Sequence, residues 1–305
     1  MDDNSSKKRE EYWREDVAAL REDSIHGSIV LANQALNIIE EYIRRRQYQN
    51  RTELLQSLSK LSNSLIRAKP LMALIFNRSQ QIIKFIKNIP KENKNIESIS
   101  EIVLEEIKQL RGRIEKNFKV ITRNGAKTVL EHNVILTHSS SSQVEAILKE
   151  ARRMNRRFRV ICTESRPLNE GSGLAFRLAK EGIKTTIIPD ADIIRAVQAA
   201  NYVITGTDRI TETTFVNKTG TYAIALAAAE FHKPFYLVGE IDKILLKRTY
   251  PVRFGEASSS EITTKKHPNL TVQNLYFEET PIELISKLIV EDGIFELKEF
   301  VDRYL

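Results

Sequence analysis

The sequence predicts an α/β protein, with a helical bundle over residues 1–124 followed by a doubly wound, mostly parallel, Rossmann-like sheet over residues 125–305. Three observations predict it. Apolar residues recur at three- and four-residue spacing as far as Ile121, the texture changes at Asn124-Gly125 to short apolar runs alternating with helical stretches, and polar segments follow those runs. At 305 residues the chain is long enough for two domains, and 41% hydrophobic with 29% charged residues is the balance of a folded chain.

In the first half, Leu31, Ala35, Ile38, Ile39, Tyr42 and Ile43 trace one face of a helix, and further helical stretches run from Glu53 to Ile66, Met72 to Ile89 and Ile96 to Ile121. Gly27, Pro70, and Pro90 with Lys91-Glu92-Asn93-Lys94 punctuate them. In the second half, buried strands are expected at Val134–Leu136, Arg159–Thr163, Thr185–Ile188, Tyr202–Thr205, Phe235–Val238 and Val272–Phe277. Helices containing Val144 to Met154, Gly173 to Glu181, Asp192 to Ala199 and Tyr222 to Phe231 separate the first five of them. Six such repeats make a doubly wound sheet.

No run of apolar residues is long enough for a membrane span, and the N-terminal Met1 to Lys8 has no apolar core, so a cytoplasmic protein is expected. A single cysteine, Cys162, excludes an intrachain disulfide framework and a cysteine-based metal site, and no cofactor motif is present. The net charge of +7 gathers in Arg44-Arg45-Arg46 and in Arg152, Arg153, Arg156, Arg157 and Arg159. Both clusters follow helices, where cations suit the dipole, and read as solvated faces; direct nucleic-acid binding is not expected.

In open parallel sheets ligands bind beyond the carboxyl ends of the strands. There the sequence places Thr137-His138-Ser139-Ser140-Ser141-Ser142 leading into a helix, Glu164-Ser165-Arg166-Pro167, Asp190, Gly206-Thr207-Asp208-Arg209, and Asn217-Lys218-Thr219-Gly220-Thr221 leading into another helix. Hydroxyls and backbone N–H groups at helix starts suit an anion, although a serine there also serves simply as an N-cap. His138 and Ser139 suggest a base and nucleophile, but neighbours on a strand face opposite sides.

Thr163-Glu164-Ser165-Arg166-Pro167 with Gly171, Gly182-Ile183, Asp190, Gly206 with Asp208, Asn217-Lys218-Thr219-Gly220-Thr221, Pro234-Phe235-Tyr236 and the stretch from Thr280-Pro281 to Glu291-Asp292-Gly293 resemble one superfamily. It joins the alpha, beta and delta subunits of translation initiation factor 2B to ribose-1,5-bisphosphate isomerase and methylthioribose-1-phosphate isomerase. The resemblance implies an archaeal-type member with a pocket for a phosphorylated sugar or nucleoside monophosphate. It also implies a homodimer or hexamer, and as a partner the alpha subunit of translation initiation factor 2.

By that resemblance Asp208 matches the isomerases' catalytic aspartate, while Ser139 falls where they have a catalytic cysteine. Their Arg-Gly-Ala ligand motif appears as His26-Gly27-Ser28 and a ligand-binding arginine as Lys69. Ser140, Ser141, Ser142, Arg166, Asn217, Lys218 and Lys243 complete the implied ligand-binding set. A serine keeps its proton unless a base removes it, and lysine or histidine cannot reproduce a bidentate arginine clamp. The expected protein is therefore a regulatory initiation factor 2B-like subunit with a retained binding pocket; the alternative is a ribose-1,5-bisphosphate isomerase-type aldose-ketose isomerase using Asp208 and Ser139.

Overall fold

A computed structural model describes residues 3–90 and 95–305; Met1, Asp2 and the expected break at Lys91–Lys94 lie outside the described residues. The chain forms two compact units, residues 1–116 and 117–305. The division falls within one long helix, and residue 124, where the sequence changes texture, lies further along that helix.

The first unit is helical: α1 (Asp3–Glu22), α2 (Ser28–Arg45), α3 (Arg51–Ala68), α4 (Ala73–Asn88) and the first part of α5 (Ile96–Thr128). Its buried residues follow the helical period, with Leu54, Leu58, Leu61 and Leu65 on α3 and Ile99, Val103, Ile107, Leu110 and Ile114 on α5. Such stripes bury only against one another, which is why these helices pack as a bundle. Asn50 caps α3 by accepting the Glu53 N–H at 3.0 Å.

The second unit carries a seven-stranded sheet. Its parallel strands are β1 (Val134–Thr137), β2 (Arg159–Thr163), β3 (Lys184–Ile188), β4 (Tyr202–Gly206), β7 (Phe235–Val238) and β9 (Lys287–Val290); β10 (Gly293–Glu296) runs antiparallel at one edge. The spatial order is β10-β9-β7-β4-β1-β2-β3. The chain starts in the middle at β1, builds outward to β3, then crosses back to β4 on the other side of β1, which makes the β1/β4 boundary the switch point.

Alternate strand residues feed two cores. Ile135, Val160, Cys162, Ile204 and Val238 pack with α6 (Ser142–Arg153) and α7 (Glu170–Lys180), while Leu136, Val203, Phe235 and Leu237 pack with α8 (Ile193–Ala199), α9 (Thr221–Glu230) and Phe300 of α10 (Leu297–Tyr304). Strand side chains alternate, so these clusters lie on opposite faces and the sheet is covered on both.

The structure corrects two sequence expectations. Val272–Phe277 is not a strand of the main sheet: only Phe277 opens β8 (Phe277–Pro281), which joins β5 (Arg209–Ile210) and β6 (Thr214–Lys218) in a separate three-stranded sheet. The sixth parallel strand is instead β9, a four-residue strand with three apolar residues, Leu288, Ile289 and Val290, turned back into β10 through Glu291-Asp292. Gly125, at which the sequence changes texture, lies inside α5. A Cβ there would stand 2.3 Å from Ile147 Cδ1, so the glycine permits close packing on α6 rather than a turn.

Candidate functional site at the carboxyl edge

The site is built on the ends of β1, β2, β4 and β6. Gly206 closes β4 directly against the loop after β1, where a Cβ would stand 2.6 Å from Ser141 Oγ. Ser141 is the N-cap of α6, its hydroxyl accepting the Val144 N–H at 3.3 Å, so this member of the serine run has a structural task. Ser140 Oγ accepts from the Arg177 guanidinium at 2.8 Å, and Ser142 is exposed in the first turn.

Ser139 stands apart. Its backbone is left-handed, at φ 63°, and its N–H donates to Ser165 Oγ at 2.8 Å. Its hydroxyl points toward Glu170 Oε1 at 3.4 Å. That same oxygen lies 2.8 Å from Lys218 Nζ, whose side chain is 3% exposed. The ion pair is close but off-axis. Among the described residues Lys218 Nζ makes no aligned hydrogen bond, and Glu170 Oε2 has no partner. The ammonium also lies 5.0 Å from the centre of the Tyr276 ring.

His138 is a brace and not a base. It is 2% exposed, with Nε2 2.9 Å from the Thr219 carbonyl and Nδ1 2.6 Å from Thr163 Oγ1. A carbonyl only accepts, so Nε2 carries the proton and Nδ1 accepts from the threonine hydroxyl. Burial pushes the imidazole pKa down to about 4; the Thr219 hydrogen bond and the charge of Asp190 pull the other way. Asp190 in turn accepts the N–H groups of Ser165 and Arg166 at 2.8 and 2.7 Å and so fixes the loop after β2. Arg166 itself is exposed.

On the neighbouring strand ends, Lys243 is buried and donates to the Thr207 carbonyl at 2.6 Å, one residue from half-buried Asp208. Asn217 Nδ2 donates to Thr221 Oγ1 at 3.0 Å at the start of α9. The N–H groups of Gly220 and Tyr222, which the sequence suggested for an anion, are held by Glu278 Oε1, both at 2.8 Å. His26, Gly27, Ser28 and Lys69 lie in the helical unit: His26 Nδ1 meets Asp23 Oδ2 at 2.7 Å and Lys69 Nζ donates to the Asp23 carbonyl at 2.6 Å. Cys162 is fully buried on β2, and burial pushes its thiol up to about 12, so it supplies no thiolate.

The structure thus gathers Ser139 and Lys218 around Glu170, and sets Lys243 beside the Asp208 loop. Glu170 and Glu278 are neighbours of the site that the sequence reading missed, whereas Ser165 lies in a strand-end segment it had singled out. Glu170 carried one available signal, an acidic residue in the first turn of a helix that opens on the carboxyl edge.

Residues 24–297 match the model of the initiation factor 2 subunit family, IF-2B. The chain belongs to that family. Within it, the eIF-2B subunit 2-like protein of Pyrococcus furiosus is 31% identical over 90% of this chain and 93% of its own length. The ribose 1,5-bisphosphate isomerase of Methanocaldococcus jannaschii is 27% identical over 92% of this chain and 90% of its own. The crystal structure of the Pyrococcus horikoshii translation initiation factor eIF-2B superposes with a TM-score of 0.80 at 28% identity, over 95% of this chain and 99% of that one. The IF-2B family so defined contains both initiation-factor-like members and sugar-phosphate isomerases, and nearly the whole chain takes part in the likeness.

Proposed function

We propose that this IF-2B protein is a noncatalytic, regulatory subunit that acts through protein–protein contacts and binds a phosphorylated sugar or nucleoside monophosphate at its carboxyl edge. The observation that carries the binding is the buried Lys218 ammonium with no aligned hydrogen bond among the described residues. Three N–H donors in a dry setting are costly unless an oxyanion receives them, and a phosphate oxygen is suited to do so. Glu170 holds the place meanwhile, so the ligand binds by displacing a carboxylate.

The regulatory half rests on the absence of a thiolate at the site. Ser139 stands at the loop where the resemblance implies a catalytic cysteine, and Cys162 is sealed in the core. One contact favours a second reading. Glu170 Oε1, 3.4 Å from Ser139 Oγ, offers a base for the serine, with Asp208 as the other proton-transfer group of an isomerase.

A thermal-shift screen of sugar phosphates and nucleotides, followed by an NMR turnover assay on each stabilising compound, tests both. A ligand at 100-fold its Kd adds about 2.7 kcal/mol of stability. The regulatory reading expects saturable stabilisation, weakened by Lys218→Ala, without turnover of ribose-1,5-bisphosphate. Turnover abolished by Asp208→Asn establishes the isomerase instead. No stabilisation by any phosphorylated compound sinks the binding site.

A further inference from the structure

At the opposite end of the same strands lies a groove of about 700 Å³, lined by His132, Arg152, Arg156, Arg157, Phe158, Arg159, Gly182, Ile183 and Lys184. Five of its residues are lysine or arginine and none is acidic. Arg156 is committed to the fold, its guanidinium donating to the carbonyls of Ala126, Lys127 and Val129 at the end of α5. The others are exposed, and Arg152, Arg157, Arg159 and Lys184 form no ion pair with a carboxylate among the described residues. Two acids adjoin the lining in the chain: Glu131 uses its carboxylate to accept the Arg157 backbone N–H at 2.9 Å, and Glu181 pairs with Lys149 at 3.2 Å.

Rigid elements force these cations together. Arg159 opens β2 and Lys184 opens β3, and the two are Cα partners in the parallel register. Adjacent strands lie ~4.8 Å apart, so two like charges start side by side on the sheet. Like charges so placed repel, and a bound polyanion relieves the repulsion.

We infer that this amino-edge groove is a binding site for a chain of linked phosphates, separate from the carboxyl-edge site. Its volume lies in the ~300–1,000 Å³ range of small-molecule sites. Phe158 is buried, which leaves the small His132 imidazole as the exposed ring in the lining against four exposed cations, so recognition falls mainly on the phosphates. Arg152 and Arg157 reach it from the end of α6 and the following turn, Arg159 and Lys184 from the sheet, which surrounds a short charged chain from two sides. Free polyphosphate and a nucleic-acid backbone share this chemistry.

The test uses the full-length protein with inorganic tripolyphosphate by calorimetry and with a fluorescein-labelled 12-nucleotide single-stranded RNA by anisotropy, both at 50 and 200 mM NaCl. The wild type is expected to bind tripolyphosphate, and Arg159→Glu/Lys184→Glu to weaken it at least tenfold while Lys218→Ala leaves it unchanged. Arg152→Gln/Arg157→Gln, which touches no strand, gives the same direction and guards against a folding defect. If RNA is the better ligand, the log–log salt slope falls by about 1.4 in either double variant, at about 0.7 per lost phosphate contact, and the backbone is the source. Unchanged affinity in both double variants, or equal binding of a poly-glutamate peptide of matched charge, overturns the inference.

Discussion

The two ends of the seven-stranded sheet carry cations in opposite states. At the carboxyl edge Lys218 is buried and neutralised by Glu170; at the amino edge Arg159 and Lys184 are exposed, and no acid among the described residues meets them. A buried ammonium without a counter-charge is strongly unfavourable, whereas an exposed one is hydrated and screened, so only the first demands a partner built into the fold. The difference teaches that a cation at one edge is part of the fold's own charge pairing, while those at the other are left to solvent.

The strongest way to break this contrast is Glu170→Ala, which strands the Lys218 charge. Removing one partner of a buried pair costs about 3–5 kcal/mol, to be read from urea denaturation. Glu170→Leu with Lys218→Met removes both charges and should recover most of that loss. A Glu170→Ala cost below about 1 kcal/mol would show that water reaches Lys218 and that the two edges do not differ.

Acid tests the carboxyl edge more gently. The His138 pKa is about 4 in the folded protein against an ordinary value of 6.5, so between these pH values the unfolded chain binds more protons. Stability should therefore be full above pH 6.5 and fall as the pH drops. The loss reaches about 3 kcal/mol near pH 4, at about 1.4 kcal/mol per pH unit. His138→Gln should flatten the profile in that window, and an unchanged slope would remove His138 from the account.

Backbone packing gives the third effect. A Cβ on Gly171 would sit 2.1 Å from the Thr163 carbonyl oxygen and 2.7 Å from Ser165 Oγ, so α7 can start against β2 only with glycine there. Gly171→Ala should cost about 2 kcal/mol through forced backbone shifts and disturb the Ser165 hydrogen bond to Ser139. The smallest effect belongs to the amino edge, where Arg159→Gln with Lys184→Gln removes no ion pair and should move stability by no more than about 0.5 kcal/mol. A larger destabilisation would mean that these cations hold the fold after all.

Much of the fold was legible. The helical period of Leu54 to Leu65 and the apolar runs of β1, β2, β4 and β7 identify their elements because each buries a periodic face. β9 was hidden because four residues carry almost no periodic signal, and Val272–Phe277, with its apolar Leu275-Tyr276-Phe277, offered a rival. The positions of Ser139 and Asp208 just past β1 and β4 were also readable, whereas Asn217 and Lys218 end β6, a strand the sequence did not announce. What a sequence cannot show is which side chains compensate one another across long separations: Glu170 with Lys218, or Glu278 with the start of α9. Those pairings are set by the crossover geometry.

β3 ends the sheet, and among the described residues no strand pairs with its outward main-chain groups. Thr186 and Ile187 are exposed along it, with Ile194 and Phe176 exposed on the flanking helices. Such an edge is a template for another extended chain, and a lysine on it is a common guard against that outcome. Lys184 therefore has a solubility role alongside any anion: neutralising it should lower the concentration at which the protein begins to form sheet-rich aggregates, even where the folded state is as stable as before.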